Sequence, residues 1–116
     1  LLASSAASDV YKRQQYRLRR DYVMRRISEI PGLSCHAPAG TFYAFIDISQ
    51  LGMPCEEFAM KLLEERQVVV VPGTAFGEFG EGYIRLSYAT SMQCLEQGLQ
   101  ELEEFVRSHE TEGDPA

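Results

Sequence analysis

Two segments that favour β-structure, joined by a glycine-rich stretch, limit the fold of this chain more than any other feature. Four consecutive valines, 68–71, predict a fully buried strand, since such strands are apolar on both faces. Residues 83–89 (YIRLSYA) alternate in character and predict a second strand with two different faces. One face consists of Ile84, Leu86 and Tyr88, and the other of Tyr83, Arg85 and Ser87. The stretch between the two strands, 72–82 (PGTAFGEFGEG), predicts a loop.

The remaining segments alternate between helical and extended patterns. Apolar residues at three-to-four-residue spacing predict helices over 15–30 and 54–66, and a third from Thr90 to about 107. Residues 33–37 are a short strand candidate, which the Pro-Ala-Gly segment 38–40 ends. A run of β-branched and aromatic residues predicts a strand over 41–48 (TFYAFIDI), which should be central. The order αββαββα predicts an α+β fold, in which a mostly antiparallel sheet of about four short strands carries three helices.

Particular side chains are expected to make the buried and capping contacts of these helices. The buried stripe of the second helix should be Phe58, Ala59, Leu62 and Leu63. Thr90, with Gln93 three residues later, forms a capping-box pattern that should begin the third helix. The apolar face of that third helix should be Leu95, Leu99, Leu102 and Val106.

The two ends of the chain differ from its middle. Within residues 1–14, the segment SSAASDVYKRQ (4–14) resembles the in-frame translation of a transposon-type sequencing adapter, which predicts a non-native leader and a natural protein truncated at this point. Residues 108–116 form a polar tail, expected to be frayed. The natural domain is therefore expected to cover 15–107.

Charge and composition exclude several classes of function. Seventeen acidic against eleven basic residues give a net charge of −6, which argues against a nucleic-acid surface. The chain has no run of about 18 apolar residues, so no membrane-spanning segment is expected. Three cysteines without a C-x-x-C pair fit neither a disulfide framework nor a zinc site. They predict free thiols in a reducing compartment, and hence a cytoplasmic location.

Arg85 is the residue whose setting most suggests a binding role. It is the sole basic residue between Arg66 and Arg107, and it lies inside a predicted strand with apolar neighbours. A guanidinium in a dry setting needs a partner, because leaving it unpaired costs several kcal/mol. Its planar fork matches a carboxylate through two parallel hydrogen bonds. Either a carboxylate of the protein or that of a ligand could satisfy it, and an exposed position on the strand is the third possibility.

Other residue types form no recognisable catalytic pattern. The glycine-rich loop lacks G-x-x-x-x-G-K-[ST], and no G-x-G-x-x-G opens a helix, so phosphate binding is not indicated. His36 and His109 do not complete a catalytic triad and are expected to be structural or exposed. Asp47 is expected to cap the turn at Ser49.

Three segments resemble a known family. They are Pro38-x-Gly40-x-Phe42-Tyr43, residues 69–77 (VVVPGTAFG) and residues 82–89 (GYIRLSYA). In this order and spacing they resemble the C-terminal part of class I/II aminotransferases, the pyridoxal-phosphate enzymes of the aspartate aminotransferase fold. The resemblance extends from about Tyr16 to Val106.

The resemblance implies a small domain that folds over the edge of a larger domain, which binds most of the pyridoxal 5'-phosphate. Arg85 matches the family arginine that holds the α-carboxylate of the substrate, and Gly40 and the loop 73–82 would lie near the mouth of the site. The implied reaction moves an amino group from an amino acid to a 2-oxo acid through the cofactor. A homodimer is also implied.

One departure from the family pattern concerns the Schiff-base lysine. The only lysines are Lys12 and Lys61, whereas the family's lysine lies upstream of these motifs in the larger domain. The chain alone is therefore expected to be inactive, with Arg85 as a substrate-binding residue and no catalytic or cofactor-binding residue of its own.

The competing interpretation is a stand-alone α+β regulatory module that binds an amino acid. Such a module would complete its own core, whereas a severed small domain should expose the face that contacted its partner.

Overall fold

The computed structural model describes residues 2–38 and 41–112. Three helices, α1 to α3, span Leu2–Ser28, Cys55–Arg66 and Met92–Glu112. Four strands, β1 to β4, span Ser34–His36, Tyr43–Asp47, Val71–Pro72 and Tyr83–Ser87. Short 3-10 turns occupy Ser49–Leu51, Gly73–Phe76 and Glu78–Gly80. The predicted order αββαββα is confirmed.

The four strands form one antiparallel sheet in the order β1-β2-β4-β3. Strand β2 pairs with β1 on one side and with β4 on the other, so the predicted central position of this segment is confirmed. The register places Phe45 of β2 and Val71 of β3 directly opposite Arg85 of β4. Because side chains alternate along a strand, these three residues share one face of the sheet.

The opposite face of the sheet forms the core with the three helices. Its buried side chains are Ala44, Ile46, Ile84 and Leu86, and Tyr88 continues the same face beyond β4. The helices contribute Val23, Ile27, Phe58, Leu62, Leu95, Leu99, Leu102, Phe105 and Val106. Each large apolar side chain buried in this way stabilises the fold by roughly 2 kcal/mol. The predicted alternation of 83–89 and the predicted apolar face of the third helix are both confirmed.

The prediction of a fully buried strand at 68–71 is wrong. Only Val71 belongs to a strand, and β3 has two residues at the edge of the sheet. Val70 is buried, whereas Val69 is 70% exposed. Strand β3 has a neighbouring strand on one side only, and the helices cover only one face of the sheet. Alternate valines of this segment therefore point away from the core. Composition alone does not distinguish this edge position from a central one.

Two helices extend beyond their predicted bounds. Helix α1 begins at Leu2 rather than at residue 15, and α3 continues to Glu112 rather than ending near 107. The alanines at 3, 6 and 7 have the highest helix propensity of any residue, which favours continuation towards the N-terminus. The origin of residues 4–14 stays a prediction. No helix within 2–38 and 41–112 is apolar enough over a sufficient length to cross a bilayer.

Two of the predicted helix contacts also differ. The Oγ of Ser91, not that of Thr90, accepts a hydrogen bond from the Cys94 N–H at 3.1 Å and caps α3, because the helix begins one residue later than expected. In α2 the fully buried residues are Cys55, Phe58 and Leu62, whereas Leu63 is 49% exposed. The stripe that contacts the sheet is thus narrower than its composition suggested.

Candidate functional site

Arg85 lies in the middle of β4, on the sheet face that the helices do not cover. It is partly buried, and its neighbours across the strands are Phe45 and Val71. The residues before and after it, Ile84 and Leu86, point into the core. The guanidinium therefore projects from a rigid backbone onto a surface that lies apart from the helices.

Two aromatic rings flank the guanidinium. The Cζ atom of Arg85 lies 4.1 Å from the ring centroid of Tyr43 and 4.3 Å from that of Phe76. Phe76 is held in turn by an edge-to-face contact with Phe45, at 6.4 Å between centroids and an interplanar angle of 79°. Contacts of this kind are worth about 0.5–2 kcal/mol each and fix the orientation of the cation. They leave its N–H donors free, since an aromatic face offers no lone pair in the plane of the guanidinium.

No carboxylate within 2–38 and 41–112 forms an ion pair with Arg85, and no hydrogen bond from its side chain occurs there. The internal ion pair that the sequence left open is therefore not formed within the described residues. By contrast, Arg66 pairs with both Glu101 and Glu104, at 3.3 and 3.2 Å. Arg85 is thus a guanidinium whose orientation is fixed and whose donors are available to an anion.

The loop that carries Phe76 is anchored to the N-terminus of α2. Both carboxylate oxygens of Glu81 are used: Oε1 accepts from the Cys55 N–H at 3.0 Å, and Oε2 accepts from the Cys55 Sγ–H at 3.1 Å. A second link runs from Thr74 Oγ1, which donates to Glu56 Oε1 at 2.9 Å. The carboxylate of Glu81 thus lies at the N-terminal end of α2, where the unpaired backbone N–H groups of the helix are found.

The same loop crosses itself at two glycines. A Cβ added to Gly80 would lie 1.9 Å from the carbonyl oxygen of Gly73, and a Cβ added to Gly73 would lie equally close to the Gly80 carbonyl. Real Cβ atoms do not approach backbone oxygens so closely, so only glycine permits this crossing. The crossing brings the two ends of the 73–80 segment together and leaves Phe76 at its tip. Gly40, the other glycine expected near the site, lies outside the described residues.

The remaining candidate residues are either held by structural partners or exposed. Asp47 Oδ1 accepts from the N–H and the Oγ–H of Ser49, at 2.9 and 2.6 Å, so the predicted turn cap is confirmed. His109 Nε2 lies 3.0 Å from Glu65 Oε1, and its ring packs on Phe105. His36 is exposed on β1.

The groups with shifted pKa values lie away from Arg85. Hydrogen bonds from Arg107 and Arg26 lower the pKa of Glu103, in a cluster that joins α1 to α3. Burial raises the pKa of the Cys35 thiol to about 11. Cys35 faces the core side of β1, so its shift follows from packing against the core, whereas that of Glu103 follows from ion pairs on the helix surface.

Two surface grooves lie elsewhere, and their charged side chains have partners among the described residues. One, of about 580 Å³, lies between the C-terminal end of α2 and α3, and its cation, Arg66, is already paired. The other, of about 550 Å³, is lined by residues such as Glu57, which pairs with Lys61, and His109, which contacts Glu65. Arg85 lines neither groove.

Neither lysine is placed to hold an aldehyde cofactor next to Arg85. Lys61 lies on α2, on the opposite side of the sheet, and its ammonium pairs with Glu57 at 3.2 Å. Lys12 lies in the N-terminal half of α1. The residues of this chain therefore do not fit a complete pyridoxal-phosphate site, because no lysine within the described residues shares the face of Arg85.

Comparison with known proteins gives a consistent family. The family model described as aminotransferase class I and II matches residues 8–102. The aspartate aminotransferase of Pyrococcus horikoshii is 46% identical over 94 residues, which are 81% of this chain and 24% of that protein. The chain thus spans about a quarter of the length of the curated relatives it matches.

Solved structures agree in fold. The aromatic aminotransferase from Pyrococcus horikoshii superimposes with a TM-score of 0.87 at 37% identity, covering 92% of this chain and 28% of that one. A PLP-bound protein from Clostridium difficile superimposes with a TM-score of 0.75 at 29% identity, covering 80% and 24%. The matched proteins are named for different amino acids, so similarity alone does not select a substrate.

Proposed function

Because the chain belongs to the class I and II aminotransferase family, we propose that it is the C-terminal part of an aminotransferase and supplies the clamp for the substrate's α-carboxylate. The observation that carries this proposal is the environment of the Arg85 guanidinium. Its guanidinium is oriented by two aromatic rings, yet it has no protein carboxylate within the described residues.

The clamp works by orientation. A guanidinium binds a carboxylate through two parallel N–H···O bonds, which fix both the position and the plane of the bound group. Holding the carboxylate of an amino acid in this way fixes the direction in which its α-amino group points. Correct positioning of the reacting groups typically lowers the activation free energy of a catalysed reaction by several kcal/mol. The substrates of the complete protein are accordingly an amino acid and a 2-oxo acid, both of which carry the carboxylate that Arg85 recognises.

The sheet face that carries Arg85 exposes apolar side chains, as expected of a domain that packs against another domain. Beside Arg85 this surface exposes Tyr43, Phe76 and Tyr83, and Phe79 of the adjacent loop is 93% exposed. Apolar surface of this kind marks a contact site more often than a finished exterior. The short coverage of the relatives points the same way. Both features favour a part of a larger enzyme over the stand-alone regulatory module.

Pyridoxal 5'-phosphate, when bound by the complete protein, supplies the electron sink for the chemistry at the α-carbon. Since no lysine of this chain lies beside Arg85, the cofactor is bound mainly outside it, and the isolated chain is inactive. Mixing the chain with pyridoxal phosphate should give no stable adduct after borohydride reduction. A reduced adduct at Lys61 would contradict this part of the proposal.

The complete protein is further proposed to be a cytoplasmic homodimer. The dimer is implied by the family, and free thiols at Cys35, Cys55 and Cys94 fit a reducing compartment.

The test is an Arg85→Lys substitution in the complete protein. Lysine keeps the charge but cannot make the two parallel bonds, so KM for both substrates should rise by about tenfold or more. The absorption of the bound cofactor should not change, because Arg85 does not hold it. Arg17→Lys, on an exposed position of α1, is the matched control and should leave KM unchanged. Equal kinetics for the wild-type and Arg85→Lys proteins would remove the clamp role.

A further inference from the structure

The carboxylate of Glu81 contacts the N-terminus of α2, although the residue is exposed in a surface loop. Its two oxygens bind the N–H and the Sγ–H of Cys55, the first residue of α2. The residue Glu78, three positions earlier in the same loop, is exposed and has no ion pair or side-chain hydrogen bond within the described residues. One acidic side chain of this loop thus has a tertiary role, and the other does not.

The loop depends on such an anchor for its shape. Four of the eleven residues of 72–82 are glycines, and Gly77 has a φ of +138°. Its tip contains turn contacts from the Gly77 N–H to the Thr74 carbonyl at 3.3 Å and from the Gly80 N–H to the Gly77 carbonyl at 3.0 Å. Glycine-rich backbone loses much conformational freedom on ordering, so contacts to the rest of the fold must offset that cost.

The anchor and the substrate clamp are connected through Phe76. This ring lies on the loop that Glu81 holds and contacts the Arg85 guanidinium at 4.3 Å. Tyr43, the other ring on the guanidinium, belongs to β2 and is held by the sheet. Release of the loop would therefore remove one of the two rings that orient Arg85 and leave the other in place.

We propose that Glu81 is a positioning residue for carboxylate binding: by tying the 73–82 loop to the N-terminus of α2, it holds Phe76 against Arg85. This inference rests on the proposed clamp role of Arg85. It assigns to Glu81 no contact with the substrate, so its effect must pass through Phe76.

The test compares Glu81→Ala with Glu78→Ala in the complete protein. Loss of one ring contact of about 1 kcal/mol corresponds to a roughly fivefold rise in KM for the amino acid. The kcat should stay within about twofold and the absorption of the bound cofactor should not change, since a binding contact is lost and the reacting groups are untouched. Glu78→Ala should leave KM unchanged. Glu81→Gln, which keeps an acceptor for the Cys55 N–H, should restore most of the wild-type KM.

A double-mutant cycle with Phe76→Ala separates positioning from general stability. If Glu81 acts through Phe76, the double variant has the KM of Phe76→Ala alone, because the ring that Glu81 positions is already gone. Effects that multiply, or an unchanged KM in Glu81→Ala, overturn the proposal. Should Glu81→Ala fail to fold, Glu81→Asp withdraws the carboxylate by one methylene and must show the same coupling. If Arg85→Lys leaves KM unchanged, the proposed clamp role of Arg85 is wrong. If Arg85→Lys raises KM but the Glu81 variants do not, the clamp role of Arg85 is kept and the positioning role of Glu81 is refuted.

Discussion

Replacing Gly80 by alanine tests whether the loop beside Arg85 is built on a backbone crossing. The new Cβ would lie 1.9 Å from the carbonyl oxygen of Gly73 and 2.3 Å from its carbonyl carbon. Ordinary contact begins near 3.4 Å, so the two backbone segments must separate by about 1.5 Å. Neither contacted atom belongs to a flexible side chain that could rotate away.

The cost follows from what the separation would disturb. Gly73 follows β3 directly, so it cannot move far without disturbing the pairing of Pro72 with Ile84. Gly82, two residues after Gly80, accepts a hydrogen bond from the Ile48 N–H at 2.8 Å. Overpacking costs about 1–3 kcal/mol even where neighbours can adjust, so we expect Gly80→Ala to lose about 3 kcal/mol of unfolding free energy.

The assay is thermal and urea unfolding of the chain, followed by circular dichroism, with Gly98→Ala as the matched control. Gly98 lies inside α3, and nothing lies within 4 Å of the position its Cβ would take. Alanine there should raise stability by about 1 kcal/mol, and Tm by roughly 4 °C, because glycine is the poorer helix former. The two glycine-to-alanine changes thus have opposite signs. A Gly80→Ala protein as stable as the wild type would refute the crossing.

Three further predictions concern features outside the loop. Ser91→Ala should cost about 1 kcal/mol of unfolding free energy whereas Thr90→Ala should cost little, since only the serine caps α3; equal losses in urea unfolding would refute this assignment. The arginine partners that lower the pKa of Glu103 stabilise the fold above the ordinary glutamate pKa of about 4.3, and this contribution is lost as the pH falls through the lowered value. Glu103→Gln should therefore lower stability at neutral pH and flatten its acid dependence, and an unchanged slope would be contrary evidence. At about pH 8 a disulfide reagent should modify the exposed Cys94 quickly and Cys35, whose pKa is raised to about 11, only slowly; rapid reaction of Cys35 would count against its burial.

The order of the elements could be predicted because each has a clear local pattern. The period of two in 83–89 identifies both faces of β4 and puts Arg85 on the face opposite the core. The position of a strand within a sheet, by contrast, has no local pattern in the sequence. The valines at 68–71 have the composition of a central strand, but the number of neighbouring strands depends on the whole topology, which left Val69 exposed.

The surroundings of Arg85 depended on contacts with little local signal. Tyr43 reaches the guanidinium through the register of β2 with β4, and Phe76 through the path of a loop. That path is fixed by Glu81 and Cys55, which are 26 residues apart. The glycines at 73 and 80 were the one available hint, since a close backbone crossing requires glycine at both positions.

The most direct test of the clamp asks whether Arg85 recognises the carboxylate itself. The measurement is the ratio of kcat/KM for an amino acid to that for the amine that lacks its carboxylate, made with the complete protein and with its Arg85→Ala variant. Loss of a charged hydrogen-bonding partner costs about 2–3 kcal/mol, so the variant should lose the preference for the carboxylate by roughly 30- to 150-fold while its activity on the amine changes little. A variant that keeps the wild-type ratio would contradict the account, because another group would then be holding the carboxylate.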